Sequence, residues 1–233
     1  MHGLILAGGA GSRLSADGVV EPKALVPVGG RPQLLRLCDT LDALGCDGIT
    51  CMVRAGVPVE SLVRGRASLQ VIACSTPSSL HTLALAFEAL PPGPVFCTMV
   101  DTVMSWSDWL TVSTAWESAM SRGVEVLLAV ATPPQRDPQA LYVRADVIGR
   151  VEAIGEDAFG SPLATAGVYG FAPAVRPLAA RALEAGISRM RGFLAALSPG
   201  ERSVRAVRVV RALDVDRRED LEEANAWAPV VVP

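Results

Sequence analysis

The stretch that decides the fold runs from residue 2 to residue 32, "HGLILAGGAGSRLSADGVVEPKALVPVGGRP". Its opening, "HGLILA", is a short apolar run ending in glycines, which reads as a buried strand. "AGGAGSRL", residues 7–14, then falls at the carboxyl end of that strand, where open α/β sheets bind their ligands. Glycines at such a turn let backbone N–H groups approach a phosphate without interference from a Cβ, and the arginine that follows supplies charge. Lys23, in "EPKALVPV", is the only lysine in a chain whose lysines and arginines total 21. That position therefore asks what an ammonium supplies that a guanidinium does not.

Outward from this stretch, apolar strands and amphipathic helices alternate. "PQLLRLCDTLDALG" (32–45), "SLHTLALAFEAL" (79–90) and "SDWLTVSTAWESAMSRG" (107–123) read as helices, the last capped by Ser107 or Asp108. "DGITCMVRA", "SLQVIAC", "GPVFCTMVD" and "VEVLLAVAT" read as strands. The alternation predicts an α/β fold, a mostly parallel Rossmann-like sheet with helices on both faces. After about residue 133 the rhythm changes: two strands around a turn in "ALYVRADVIGRVEAIGE", a third in "LATAGVYGFAP", then helices over 174–186 and 188–200. An arginine–valine strand and a last helix, "REDLEEANAW", complete the chain. We read 1–233 as a single domain, with a nucleotide-binding half over about 1–133 and an acceptor-binding and C-terminal part over about 134–233.

Composition narrows the class. Half of the residues are apolar and the net charge is −3, so acids outnumber bases and no basic groove for nucleic acid is expected. Five scattered cysteines without a CxxC, and only two histidines, fit reduced buried thiols in a cytoplasmic protein rather than a zinc site. No apolar run approaches the roughly 20 residues of a membrane span, and the start does not resemble a signal peptide. The length leaves no room for an appended acyltransferase domain, and homo-oligomerisation is left open.

Named glycine loops fail one by one. A Walker loop is absent, GxGxxG fits only at Gly9 and Gly11 because Leu14 occupies the third glycine position, and GxSxG is missing. The two segments "LILAGGAGSRL" and "PKALVPVGGRP" together resemble the signature of nucleotidyltransferases that activate sugar 1-phosphates and related metabolites. That pattern is L-A-[AG]-G-x-G-[ST]-R-[LM], then P-K-x-[LM]-x-P-[VIL], and every fixed position is met. The resemblance implies the nucleotide-diphospho-sugar transferase type of fold. It implies attack by a phosphate oxygen on the α-phosphorus of a nucleoside triphosphate, with pyrophosphate expelled.

The nucleophile in such a reaction is already an anion, so catalysis is mostly positioning and charge neutralisation. A compact ammonium on a flexible stem suits a place between two phosphates, whereas a forked guanidinium suits a fixed bidentate grip. The resemblance thus gives Lys23 the place between donor and acceptor phosphates and Arg13 the β- and γ-phosphates. Leu6, Ala7, Gly8, Gly9, Gly11 and Ser12 supply the rest of the nucleotide loop, with Ser79 on the position that touches base or ribose. Mg²⁺ is the implied cofactor, held by Asp101 at a strand end and by Asp214 in "ALDVDRREDLEEA". Asp216 is the alternative ligand, or a cap for the final helix. On the acceptor side the resemblance points to Asp101, Gly167, Glu156 and Trp106, although Asp157 stands where many sugar-nucleotide enzymes carry a lysine.

A sugar 1-phosphate is the expected acceptor. Trp106, Trp109 and Trp116 suggest an alternative, an aromatic cage for the quaternary ammonium of choline phosphate in a cytidylyltransferase. Guanylyl or cytidylyl transfer to a cofactor phosphate is a further reading, with the stretch after Lys23 counting against molybdopterin enzymes. A non-catalytic, nucleotide-binding regulatory homologue is the contrasting class.

Overall fold

The computed structural model describes residues 1–9, 11–197, 200 and 202–227. In chain order it runs β1 (His2–Ala7), α1 (Ser12–Ala16), β2 (Pro27–Val28), β3 (Arg31–Pro32), α2 (Gln33–Ala43), β4 (Gly48–Arg54), α3 (Glu60–Val63) and β5 (Leu69–Cys74). There follow α4 (Ser79–Ala89), β6 (Val95–Met99), β7 (Thr102–Met104), α5 (Trp106–Met120), β8 (Val126–Ala131), β9 (Val143–Ala145) and β10 (Val151–Ile154). Last come β11 (Ala164–Phe171), α6 (Arg176–Glu184), α7 (Met190–Ala196), β12 (Val204–Arg208), β13 (Ala212–Asp214) and α8 (Arg218–Trp227).

The main sheet has the order β12-β8-β11-β6-β1-β4-β5. β1 pairs in parallel with β4 and β6, β4 with β5, and β12 with β8. β11 is the reversed strand, antiparallel to both β6 and β8. The expected mostly parallel sheet is present, with this one inversion. A parallel sheet covered on both faces needs strands apolar on both sides, and β1 shows how the sequence meets that demand. Leu4 and Leu6 pack with Leu83 and Phe87 of α4 and Phe193 of α7, while Ile5 and Ala7 pack with Leu34 and Leu37 of α2 and Trp109 and Trp116 of α5.

Two of the boundary shifts bear on the reading of the helices. α5 begins at Trp106 and is capped by Ser105, whose Oγ accepts from the Asp108 N–H at 3.1 Å, not by Ser107 or Asp108. The helix expected over 188–200 is α7, Met190–Ala196; Ser198 and Pro199, in its expected tail, lie outside the described residues. Among the described residues no helix is long and apolar enough to cross a membrane.

The sheet order sets the site. β1 and β6 are parallel neighbours, with Leu6 opposite Met99, so their carboxyl ends open side by side. The chain leaves β6, turns through Val100 and Asp101, and enters β7, which pairs antiparallel with β13 so that Asp214 lies opposite Thr102. A segment from the far end of the sequence is thereby laid against the strand end carrying Asp101. On the other side of the sheet axis, Gly170 of β11 lies against the Trp116 indole, where an added Cβ would overlap the ring. Gly170→Ala is therefore expected to cost about 1–3 kcal/mol of stability by overpacking, measured as a lower denaturant midpoint at unchanged slope.

Candidate active site

The site is assembled from three separated pieces of chain. After β1, Gly8 and Gly9 lead to Gly11, which sits at φ +62° as the residue preceding α1. Gly8 packs toward Thr82, where a Cβ would lie 3.1 Å from the threonine hydroxyl, and Gly11 packs toward the Lys23 stem at 3.3 Å. Side chains at these positions would push the loop off α4 and off the lysine. Leu6 and Ala7 are buried beneath the loop, while Ser12 and Arg13 are exposed on α1. Pro22 is extended, and Lys23 opens a short 3₁₀ turn through Leu25.

Lys23 Nζ donates to carboxylates on two sides, Asp101 Oδ2 and Asp216 Oδ1. The other oxygen of Asp216 accepts from Arg13 Nη1 at 3.0 Å, and Arg13 Nη2 donates to Gln139. Asp101, Asp214 and Asp216 each offer an oxygen within 4.8 Å of the others. The Lys23 side chain is only 9% exposed. Asp214, at the end of β13, is solvent-accessible yet closely surrounded by protein.

Burial alone would pull the Lys23 ammonium down; Asp101, Asp214 and Asp216 together outweigh that, and Lys23 stands above the ordinary lysine value. Asp214 moves the other way from a usual ion-paired acid. Burial, then the neighbouring Asp101 charge, raises its carboxyl well above the ordinary value, with Lys23 opposing only in part. A hard divalent cation fits this set: the donors are oxygens, they converge, and Asp101 Oδ1 is buried without a hydrogen-bond partner among the described residues.

The C-terminal segment is fastened over the Lys23 loop at several points. Arg218 Nε and Nη2 donate to the Asp17 carbonyl at 2.9 and 2.8 Å, and the Gly29 N–H donates to Asn225 Oδ1 at 2.8 Å. Val28, Val103, Leu213, Val215 and Ala224 form a small core beneath these bonds.

The remaining sequence-derived residues scatter more widely. Gly167, at φ +74° beside a register shift of β11, presses against Thr102 Oγ1, so any Cβ there would collide next to Asp101. Ser79 is the first residue of α4, after its cap Ser78, and its Oγ accepts from the Met190 N–H at 3.0 Å. Glu156 is exposed in the 3₁₀ turn Gly155–Ala158 and makes no hydrogen bond or ion pair with the acidic cluster among the described residues. Trp106 is half-buried at the start of α5. The alternative of an aromatic cage is corrected: Trp109 and Trp116 are 2% and 0% exposed in the core, Trp109 packing edge-on to Phe96. Asp216 does not cap α8 either. Asp220 Oδ2 accepts from the Asp216 and Arg217 N–H groups, which leaves the Asp216 carboxylate for Lys23 and Arg13.

Asp216, the alternative ligand in the sequence reading, joins the cluster, as "LDVD" alternates and puts both aspartates on one side. Gln139, the second partner of Arg13, was missed and carries no sequence signal, because it lies in an irregular exposed segment.

The raised Asp214 carboxyl makes a stability prediction. Its folded value exceeds its unfolded one, so the cost of ionising it is present above the folded value, shrinks as pH falls through it, and is absent below about 4. Asp214→Asn is expected to raise the melting temperature at neutral pH, with the gain closing on acidification. A pH series of thermal melts reads this directly; a variant equally or less stable at pH 7 overturns it.

With this geometry in place, the chain can be set beside known proteins. Residues 3–168 match the model of the MobA-like NTP transferase domain family. That span includes residues 22–30, so the stretch after Lys23 does not set the chain outside the MobA-like family. No curated protein matches the sequence. Among solved structures, the chain resembles a putative glucose-1-phosphate thymidylyltransferase from Bacillus anthracis, with a TM-score of 0.77 at 20% identity, covering 97% of this chain and 94% of that one. It also resembles the inositol-1-phosphate CTP transferase from T. maritima, with a TM-score of 0.76 at 17% identity and the same coverage of each chain. At these identities the two likenesses establish the shared fold. Glycine loop, lysine turn and family match agree, and the chain is a nucleotidyltransferase belonging to the MobA-like NTP transferase domain family.

Proposed function

We propose that the protein transfers a nucleoside monophosphate from a nucleoside triphosphate to a phosphorylated small molecule, a sugar 1-phosphate or a related polyol phosphate, releasing pyrophosphate in a Mg²⁺-dependent reaction. The observation that carries this reading is the convergence of Lys23 with Asp101, Asp214 and Asp216 at the carboxyl ends of β1 and β6. The two structural neighbours, a putative glucose-1-phosphate thymidylyltransferase and an inositol-1-phosphate CTP transferase, support this choice of acceptor class.

The chemistry asks little of the protein beyond placement and charge. An acceptor phosphate oxygen forms a bond to the α-phosphorus while the bond from that phosphorus to the bridging oxygen breaks, and pyrophosphate leaves with that electron pair. Lys23 offsets the repulsion between the two polyanions and follows the α-phosphate as it inverts. Arg13, exposed at the mouth of the glycine loop, grips the β- and γ-phosphates with its fork. The backbone at Gly8, Gly9 and Gly11, with Ser12, cradles the triphosphate above buried Leu6 and Ala7. Asp101, Asp214 and Asp216 would hold Mg²⁺, which supplies charge neutralisation at the phosphate oxygens when bound. Gly167, which packs against Thr102 beside Asp101, stands with Glu156, Trp106 and Ser79 as an acceptor- or nucleotide-side residue on the resemblance alone. The reading requires neither nucleic acid nor membrane as partner.

The test is a pyrophosphate-release screen of the common triphosphates against phosphorylated sugars, polyols and choline phosphate, with and without Mg²⁺. One pair is expected to turn over in a Mg²⁺-dependent manner, with Lys23→Ala reduced by about 100-fold or more, as for loss of a group stabilising transition-state charge. Tight triphosphate binding without pyrophosphate release for any pair would instead assign the regulatory role. Turnover confined to choline phosphate would assign the cytidylyltransferase alternative without the aromatic cage.

A further inference from the structure

Directly under the site, α2 carries polar side chains where a core helix would ordinarily be apolar. Gln33 and Arg36 lie one turn apart and are 0% and 1% exposed. Gln33 Nε2 donates to the carbonyl of Lys23 at 3.2 Å, and Arg36 Nη2 donates to the carbonyl of Thr102 at 2.6 Å. One further turn along, Thr40 Oγ1 donates to the Arg36 carbonyl at 2.9 Å.

Arg36 has no other hydrogen bond among the described residues; its Nε and Nη1 are buried and unpartnered. Burial pulls its pKa down to about 10, which still leaves it cationic at neutral pH. A buried cation satisfied by one carbonyl is a costly choice, since methionine or leucine would fill the space without the desolvation penalty. What Arg36 gains is a hold on one particular residue. Thr102 follows Asp101 directly, pairs in register with Asp214, and is pressed by Gly167 on its side chain. The Arg36 bond adds a hold on its carbonyl.

We propose that Gln33 and Arg36 are positioning residues, a buried polar shelf on α2 that fixes the Lys23 backbone and the Asp101–Thr102 turn at one spacing. The ammonium comes from a loop and the carboxylates from strand ends, and the shelf bonds to the backbone of both from beneath, at Lys23 and at Thr102. The proposal rests on the reading of Lys23 as a phosphate-binding group and of Asp101 as a metal-binding group. It assigns neither shelf residue a contact with substrate.

The experiment compares Arg36→Met and Arg36→Lys with Leu37→Ala, a fully buried apolar truncation on the same helix. Mn²⁺ binding is followed by the spectroscopic signal of the free ion, alongside thermal melts and steady-state kinetics. Arg36→Met is expected to weaken Mn²⁺ binding and lower kcat by about tenfold each, the scale of lost support behind a metal ligand, with triphosphate KM changed by less than about twofold. Arg36→Lys, which keeps charge but not the fork, is expected to lose only about threefold. Leu37→Ala is expected to melt lower while Mn²⁺ affinity stays at the wild-type value. Unchanged Mn²⁺ affinity in Arg36→Met overturns the shelf, as does an equal loss in Leu37→Ala. If Arg36→Met does not fold, Arg36→Lys decides alone, and wild-type Mn²⁺ affinity in it is the overturning result. A wild-type protein that binds Mn²⁺ but releases no pyrophosphate would remove the proposed reaction, while the titration would still decide the shelf.

Discussion

The structure turns on a single ammonium group held between carboxylates that come from distant parts of the chain. Lys23 reaches Asp101, 78 positions on, and Asp216, 193 positions on. Neither side of this arrangement is tolerable alone. A lysine that is 9% exposed needs opposite charge around it, and three converging aspartates repel one another unless a cation stands among them. Burial and then the Asp101 charge raise the Asp214 carboxyl, and Lys23 opposes them only in part. The same contacts that define the site therefore help to dock β13 and α8 onto the lysine loop, with Arg218 on Asp17 and Asn225 on Gly29 completing the attachment.

The contrast between the two cations answers why this position carries the chain's only lysine. Lys23 meets two acids with one nitrogen, which a tetrahedral ammonium with several donors does readily. Arg13 meets its two partners with separate nitrogens, Nη1 on Asp216 and Nη2 on Gln139, as a planar fork must. The stem of Lys23 also passes close to Gly11, where a Cβ would stand 3.3 Å from it. A narrow approach ending in a point charge fits a lysine; a broad flat head would not share this path.

Much of this was legible because it follows from short-range rules. The apolar run of β1, the glycines after it, the lysine turn and the aspartate at the end of β6 are each local in sequence, and the sheet places them together once strands align in parallel. What escaped was decided by tertiary context. β11 reads as a strand, but nothing in "ATAGVYGF" says that it enters between β6 and β8 in reverse. Trp109 and Trp116 sit near Asp101 in sequence, yet helical spacing turns them into the core, where their size fills space beside Phe96 and Gly170. Gln33, Arg36 and Thr40 recur at helical spacing on α2, yet all three are buried, with Gln33 and Arg36 bonded to the backbone of the site above. Periodicity reports which residues share a face, not what covers it.

A polyanion arriving at this site would compete for cations that the protein already uses internally. Lys23 and Arg13 both spend a bond on Asp216, one on each oxygen. Phosphate oxygens that attract either cation loosen its hold on Asp216 and leave that carboxylate with unshared lone pairs. Asp101, Asp214 and Asp216 would then offer a divalent ion a better set of oxygen donors, and its charge would offset the repulsion among the three carboxylates. Under the proposed reaction, polyphosphate and metal binding favour each other through this shared residue. The direction of the coupling follows from charge alone, and it would pass through Asp216, which the sequence offered as the alternative metal ligand or a helix cap.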